Sequence, residues 1–406
     1  MTRRPLVAAL LAALAVTSAF VFAASRPAAE GTGVNGGSPA VGSGDAPTRS
    51  PIPIPIPGHE VYGFVPYWEM DEGIADHLAA TDLTTLALFS VTHRKDGALA
   101  PGERGHKKIE GPIGRRLIAE AHDRGVRVEL VYTSFGRAKN DLFFGSADAR
   151  ARTITELVAL ATELGVDGIN VDIELLAPEH VTAYGDFVGR LRSVLRTSES
   201  EAQVSVATAA NVRGTAMAVA AANAGADRIF MMGYDYHWSG SEPGASAPVG
   251  RRDGSEKDLG WSLDLYRDAG VPAERTILGL PLYGMSWPVV GPELGAARIG
   301  RGSVWIPSEN LATLADASVV RVVDPLEGVE HLAIPDGDGW QAIYFDSPAT
   351  LRPKLVMADE RGLAGAGFWA MGYERGLADY TRLISTFKAG EVSTSAEAGT
   401  PGDVGR

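Results

Sequence analysis

Between residues 61 and 388, short apolar runs alternate with longer stretches in which apolar positions recur every three or four residues. The short runs read as strands at 61–66, 84–91, 126–133, 167–174, 203–208, 228–234, 276–282 and 365–369. Helical periodicity fills the intervals, notably at 112–124, 146–164, 178–196, 256–269 and 348–361. Gly125, Gly165, Gly270 and Gly362 each close a helical stretch and are followed at once by Val or Leu, so they predict left-handed caps that turn the chain into the next strand. Eight strands alternating with helices predict an α/β fold, a closed parallel (β/α)8 TIM barrel, with a doubly wound open sheet as the alternative. The last interval is different. Residues 285–346 carry strand-like pieces at 303–306, 319–323, 331–334 and 341–345, with Pro335-Asp336-Gly337-Asp338-Gly339 as a hairpin turn, and so predict an insertion between the seventh and eighth strands.

One strand breaks the apolar rule. In Asp167-Gly168-Ile169-Asn170-Val171-Asp172-Ile173-Glu174, alternation puts Asn170, Asp172 and Glu174 on one face and three β-branched residues on the other. A central parallel strand is normally apolar on both faces, and a row of carboxylates costs desolvation that packing alone would not select. The plain alternative is a strand with one face in solvent. Two carboxylates two residues apart lie about 6 to 7 Å from each other. Each then raises the other's pKa, which would leave Glu174 protonated near neutral pH as a general acid. In a barrel the active site forms at the C-terminal strand ends, where Glu174 falls.

Composition narrows the partners. The 406 residues include 50 acidic and 37 basic side chains, a net charge of -13, which argues against a nucleic-acid or anionic-membrane partner. There is no Cys, which excludes disulfides, thiolate metal sites and a Cys nucleophile. Residues 1–24 open on Met1-Thr2-Arg3-Arg4 and continue as an apolar run, a signal peptide or an uncleaved N-terminal anchor. Either reading places the remainder outside the cytoplasmic membrane, secreted or associated with a bacterial cell envelope. Residues 25–57 are Gly, Ser and Pro-rich and predict a disordered linker, ending in alternating prolines of extended conformation. Residues 390–406 predict a disordered tail, which leaves 58–389 as one catalytic unit.

The pattern Asp-Gly-x-Asn-x-Asp-x-Glu on a fourth strand resembles the signature of family 18 glycoside hydrolases: chitinases, endo-β-N-acetylglucosaminidases and spore-cortex glucosaminidases. Met232-Gly233-Tyr234-Asp235 resembles that family's Met-x-Tyr-Asp at the sixth strand, and Gly365-Ala366-Gly367-Phe368-Trp369 its eighth. The resemblance implies the barrel, with a small α+β insertion at 285–346 walling the cleft. It also implies a substrate-assisted mechanism, to which the usual scheme of two catalytic carboxylates is not applied. Glu174 would then protonate the glycosidic oxygen, Asp172 would hold the substrate's acetamido N–H, and Tyr234 would donate to the acetamido oxygen. Asp235, Asn170 and Met232 would stand around the sugar, with the Trp369 indole as its floor. Asn170 replaces the family's commoner Asp, and its amide is expected to donate to Asp172 and keep it anionic. At the third strand, where relatives often show Ser-x-Gly-Gly, Thr133-Ser134-Phe135-Gly136 departs from the pattern, with Phe in place of one Gly.

Tyr67, Trp68, Tyr283 and Trp287 follow the first and seventh strands as further stacking candidates, and His237 with Trp238 could line a leaving-group subsite. The expected protein is therefore an exported glycosidase, a monomer without metal or cofactor. It would cleave β-linked N-acetylglucosamine glycans, chitin oligomers or peptidoglycan, with retention through an oxazolinium intermediate. The rival from another class is a non-catalytic lectin-like protein on the same barrel. A metal-dependent barrel hydrolase would need clustered His ligands, and no His-x-His occurs.

Overall fold

The computed structural model describes residues 58–392. The predicted signal peptide or anchor, the linker and the tail beyond residue 392 lie outside the described residues. Among those described, no helix is long and apolar enough to cross a membrane.

Seven parallel strands come first in the chain: β1 (Glu60–Pro66), β2 (Thr85–Thr92), β3 (Arg127–Phe135), β4 (Gly168–Glu174), β5 (Gln203–Ala209), β6 (Arg228–Met232) and β7 (Thr276–Pro281). An antiparallel block follows, made of β8 (Gly284–Val289), β9 (Ser303–Trp305), β10 (Arg321–Asp324), β11 (Val329–Asp336) and β12 (Gly339–Phe345), and β13 (Gly365–Trp369) ends the strand series. β13 pairs with both β7 and β1, and this closes an eight-stranded barrel in which each remaining strand pairs with its neighbours in sequence. The open-sheet alternative is thereby excluded. The antiparallel block forms its own sheet in the order β10-β11-β12-β8-β9, the predicted insertion, entered three residues after β7. It begins one residue earlier than the sequence pattern indicated, because Gly284 pairs with Phe345.

Two hydrophobic layers hold the barrel. Outward-facing residues such as Val61, Leu130, Ile169, Val171 and Ile173 merge with the surrounding helices into one large core. Inside, Tyr62, Phe64, Ala87, Phe89, Val131, Ala207, Phe230 and Ile277 form a second cluster. Gly279 and Gly367 make room for it, since a Cβ at either place would come within 2.4 and 2.5 Å of the Phe230 ring. Gly125, Gly165, Gly270 and Gly362 all have positive φ, from 64° to 82°, as expected of left-handed caps. Between β12 and β13 the helix Pro348–Glu360 starts from a Ser347/Thr350 capping box and fixes the buried Lys354 ammonium on Asp346. Removing one partner of such a pair would strand the other charge in the interior.

Candidate active site

The inward row of β4 carries the site. Asn170 and Asp172 are buried, and Glu174 stands half-buried at the last position of the strand. Their neighbours Ile169, Val171 and Ile173 are at most 2% exposed among the helices, which fixes the register and so the direction of the polar row. The backbone beyond is pinned: the buried Asn140 amide donates to the Glu174 carbonyl at 2.5 Å, Ser134 Oγ donates to Asn140 Oδ1 at 2.7 Å, and Leu175 takes a left-handed φ of 61°. Sequence reasoning missed Asn140, on the helix Arg137–Phe144, and read Ser134 only as part of the third-strand motif, because their contact with the end of β4 is not a local property of either stretch.

Burial and the charge of Asp235 raise the Glu174 pKa to about 7. Burial, then the charge of Glu174, raises Asp172 well above the usual carboxylate range, and its Oδ1 meets no donor. The two titrate as a linked pair. Such a site holds a proton near neutral pH, as a general acid must.

Beyond β6 the chain turns sharply at Asp235, whose φ is 62°. Its N–H donates to Ser246 Oγ at 3.0 Å, and its carboxylate accepts the hydroxyl of Tyr283. Ser246 also donates to that hydroxyl at 3.3 Å. Asp235 is open to solvent at the cleft, yet the protein packed around its carboxyl raises its pKa. Tyr234 lies within electrostatic reach of Asp172, Asp235 and Glu174, and burial with these three charges keeps its hydroxyl protonated. Met232 packs half-buried against the inner barrel cluster.

Trp369 sits half-exposed on the aromatic floor, with Phe89 edge-on at 4.7 Å and Phe64 and Trp68 at 5.7 and 6.4 Å. Trp68 donates to the Tyr373 hydroxyl at 3.2 Å, and Tyr67 meets its edge at 4.9 Å. Tyr67 also lines a recess of about 290 Å³ with Ser90, Thr92, Glu103, Arg104 and Gly105. Phe135, 41% exposed, pairs in register with Glu174 and stacks on Phe89. An aromatic ring therefore borders the acid where the family pattern has glycine.

Four expectations need correction. Tyr283 is no stacking platform: the residue is 6% exposed, and its hydroxyl is occupied by Asp235. Trp287 is fully buried in the insertion against Tyr344. His237 does not line a subsite. It is buried, with Nδ1 on the Glu242 carbonyl at 2.8 Å and Nε2 3.6 Å from Glu327, whose carboxylate also accepts the N–H groups of Ala245 and Arg252. Glu327 thus anchors the loop after β6 to the insertion, and Trp238, partly exposed with its N–H on Ser241 Oγ, stays on that loop. Finally, the Asn170 amide donates to Ser205 Oγ at 2.8 Å and not to Asp172, because the single proton of Ser205 goes to Glu129 and leaves only a lone pair for Asn170. Glu129 was legible by the same signal as Asp172, a charge on the inward row of an apolar strand.

No group of three or more His, Asp or Glu side chains among the described residues is arranged to hold a metal. A closed parallel barrel with a proton-holding carboxylate pair at the C-terminal end of its fourth strand, over an aromatic floor, defines a glycoside hydrolase. The chain belongs to glycosyl hydrolases family 18, whose model matches residues 64–374. It is 23% identical over 307 residues to the cortical fragment-lytic enzyme of Bacillus anthracis, covering 71% of this chain and 65% of that protein, so it spans just under two thirds of that relative's length. The Nod factor hydrolase protein 1 of Medicago truncatula is 26% identical over 242 residues, 56% of this chain and 63% of that one. Among solved structures, the spore cortex-lytic enzyme SleL of Bacillus cereus superposes with a TM-score of 0.66 at 21% identity, over 81% of this chain and 74% of that one. A chitinase from Cycas revoluta in complex with (GlcNAc)3 gives 0.67 at 20% identity, over 81% and 99%.

Proposed function

We propose that the protein hydrolyses β-linked N-acetylglucosamine glycans of the cell wall, with retention of configuration and by substrate assistance. The observation that carries the reading is the joint placement of Glu174, proton-bound near pH 7, with Asp172 and Tyr234 within electrostatic reach of one another. In the first step the Glu174 carboxyl gives its proton to the glycosidic oxygen as the bond to the anomeric carbon breaks. The substrate's acetamido oxygen, accepting a hydrogen bond from Tyr234, adds to that carbon from the opposite face and forms an oxazolinium ion. Asp172, as carboxylate, accepts the acetamido N–H and offsets the positive charge. In the second step Glu174 takes a proton from water, whose oxygen displaces the acetamido oxygen and restores the original configuration. A tethered nucleophile supplies proximity, and the preorganised carboxylate supplies electrostatic stabilisation. Trp369 offers its half-exposed indole to the sugar's C–H face.

Peptidoglycan is favoured over chitin by the likeness to the cortical fragment-lytic enzyme and by the export signal expected of residues 1–24. The test presents the protein with N-acetylated chitooligosaccharides and purified peptidoglycan in parallel, with a Glu174→Gln control. New reducing ends from peptidoglycan, absent in the control, support the reading. Preference for chitooligosaccharides would make it a chitinase, and sugar binding without cleavage of either polymer would favour the lectin-like alternative.

A further inference from the structure

Beneath the carboxylate pair lies a buried polar chain that crosses the barrel. Asn170 Nδ2 donates to Ser205 Oγ at 2.8 Å, Ser205 donates to Glu129 Oε2, and the Tyr62 hydroxyl donates to the same oxygen at 2.5 Å. All four residues are at most 1% exposed, on β1, β3, β4 and β5. The direction of the chain follows from proton count. With Glu129 as a carboxylate, Ser205 gives it its one proton and can only accept from Asn170, so the amide turns its NH2 group that way. The Asn170 carbonyl oxygen is thereby left on the other side of the amide, buried and without a donor. One step along the same inward row, Asp172 Oδ1 is also buried without a donor. The two acceptors belong to one inward row, two residues apart, and a single proton on Asp172 would serve both.

We infer that Glu129 is a positioning residue: acting through Ser205, it decides which end of the Asn170 amide faces the Asp172 side, and so how firmly Asp172 holds its proton before substrate arrives. The inference rests on the role given above to Asp172. Asp172 must give up its proton to meet the acetamido N–H as a carboxylate, and a carbonyl neighbour delays that loss while an amide N–H neighbour would hasten it. The other titratable groups acting with Asp172 are Glu174 on its own strand, Tyr234 after β6 and Tyr184 on the helix Val181–Ser198, with Asp235 acting on Glu174. Its register partners on β3 and β5, Thr133 and Ala207, do not titrate.

The test follows the Asp172 carboxyl by 13C NMR of the full chain labelled at aspartate carboxyls, with Asp172→Asn identifying the signal. In Glu129→Gln the amide NH2 can take the place of Oε2 and donate to both Ser205 and the Tyr62 hydroxyl. Ser205 then turns its proton to Asn170, the amide reverses, and Asp172 titrates about one pH unit lower, the worth of one hydrogen bond changing sides. Ser205→Ala, which frees the amide while keeping the Glu129 side chain and its bond from Tyr62, shifts it in the same direction. Tyr62→Phe leaves the Ser205 proton on Glu129 and keeps the wild-type titration. The acid limb of kcat/KM on peptidoglycan moves with the NMR value in each variant. A merely structural role for Glu129 would lower thermal stability in all three variants and leave the Asp172 titration in place. An unshifted Asp172 in both Glu129→Gln and Ser205→Ala, or an equal shift in Tyr62→Phe, overturns the inference. The NMR titration needs no substrate, so a protein inactive on every glycan would fail the functional reading while the relay still stood or fell on its own.

Discussion

Replacing the proposed acid should make the protein more stable, and only above a definite pH. The Glu174 carboxyl is raised from 4.5 to about 7 by burial and by Asp235. A carboxyl raised in the fold binds its proton more tightly there than in the unfolded chain. The penalty for ionising it is therefore absent below about pH 4.5, grows between 4.5 and 7, and is complete above 7. At about 1.4 kcal/mol per pH unit, the difference destabilises the fold by about 3 kcal/mol at pH 8.5. Glu174→Gln keeps the shape, removes that cost and also relieves Asp172, which the Glu174 charge pushes up. With an unfolding entropy of roughly 2.1 cal/mol/K per residue over about 330 residues, the gain corresponds to about 4 °C in Tm. Calorimetry of wild type and variant at matched scan rates, at pH 4 and pH 8.5, reads it directly. The expected result is coincident melting at pH 4 and a higher Tm for the variant at pH 8.5. An equal gain at both pH values would trace the effect to packing, and a lower Tm at pH 8.5 would refute the electrostatic account of the site.

Other substitutions address separate links of the chain from structure to function. Asp235→Asn removes the second cause of the raised Glu174 pKa, so the basic limb of the kcat/KM profile should move to lower pH, measured on the preferred glycan. Asn140→Ala leaves the Glu174 carbonyl without its donor and Ser134 without its acceptor in a fully buried place; urea titration should show a loss of about 1 to 3 kcal/mol, with kcat falling more than KM rises. Lys354→Met strands Asp346 and should cost about 3 to 5 kcal/mol at neutral pH by the same titration. Trp369→Ala should raise KM on oligosaccharides at least tenfold and leave the basic limb of the pH profile where it was, because the indole carries no proton for the reaction.

Much of this architecture was legible beforehand, for identifiable reasons. Strand and helix periodicity, and glycines at the helix ends, are local properties, and β13 matches its predicted bounds. The β4 carboxylates stood out because charge on the inward row of a buried strand has no packing rationale. Helices with weaker patterns, such as Arg104–Glu110 and Val212–Asn223, were not singled out from the sequence. The aromatic residues divided unevenly: Tyr67, Trp68 and Trp369 remain partly open, whereas Tyr283 and Trp287 are buried. A sequence marks an aromatic side chain near a strand end but does not say whether a later segment will cover it, and here the 284–345 sheet lies between the seventh barrel strand and the eighth.

The sequence by itself determined the alternation of elements, the face of β4 that would carry polar groups and the residue at its C-terminal end. Only the tertiary structure decided the direction of protons. Glu129, Asn170 and Ser205 are separated in turn by 41 and 35 residues and meet solely because β3, β4 and β5 are neighbours in a closed barrel. Which groups donate, which accept and how strongly burial holds a proton depend on those long-range encounters and on the exclusion of water, and neither is a property of any one stretch of chain.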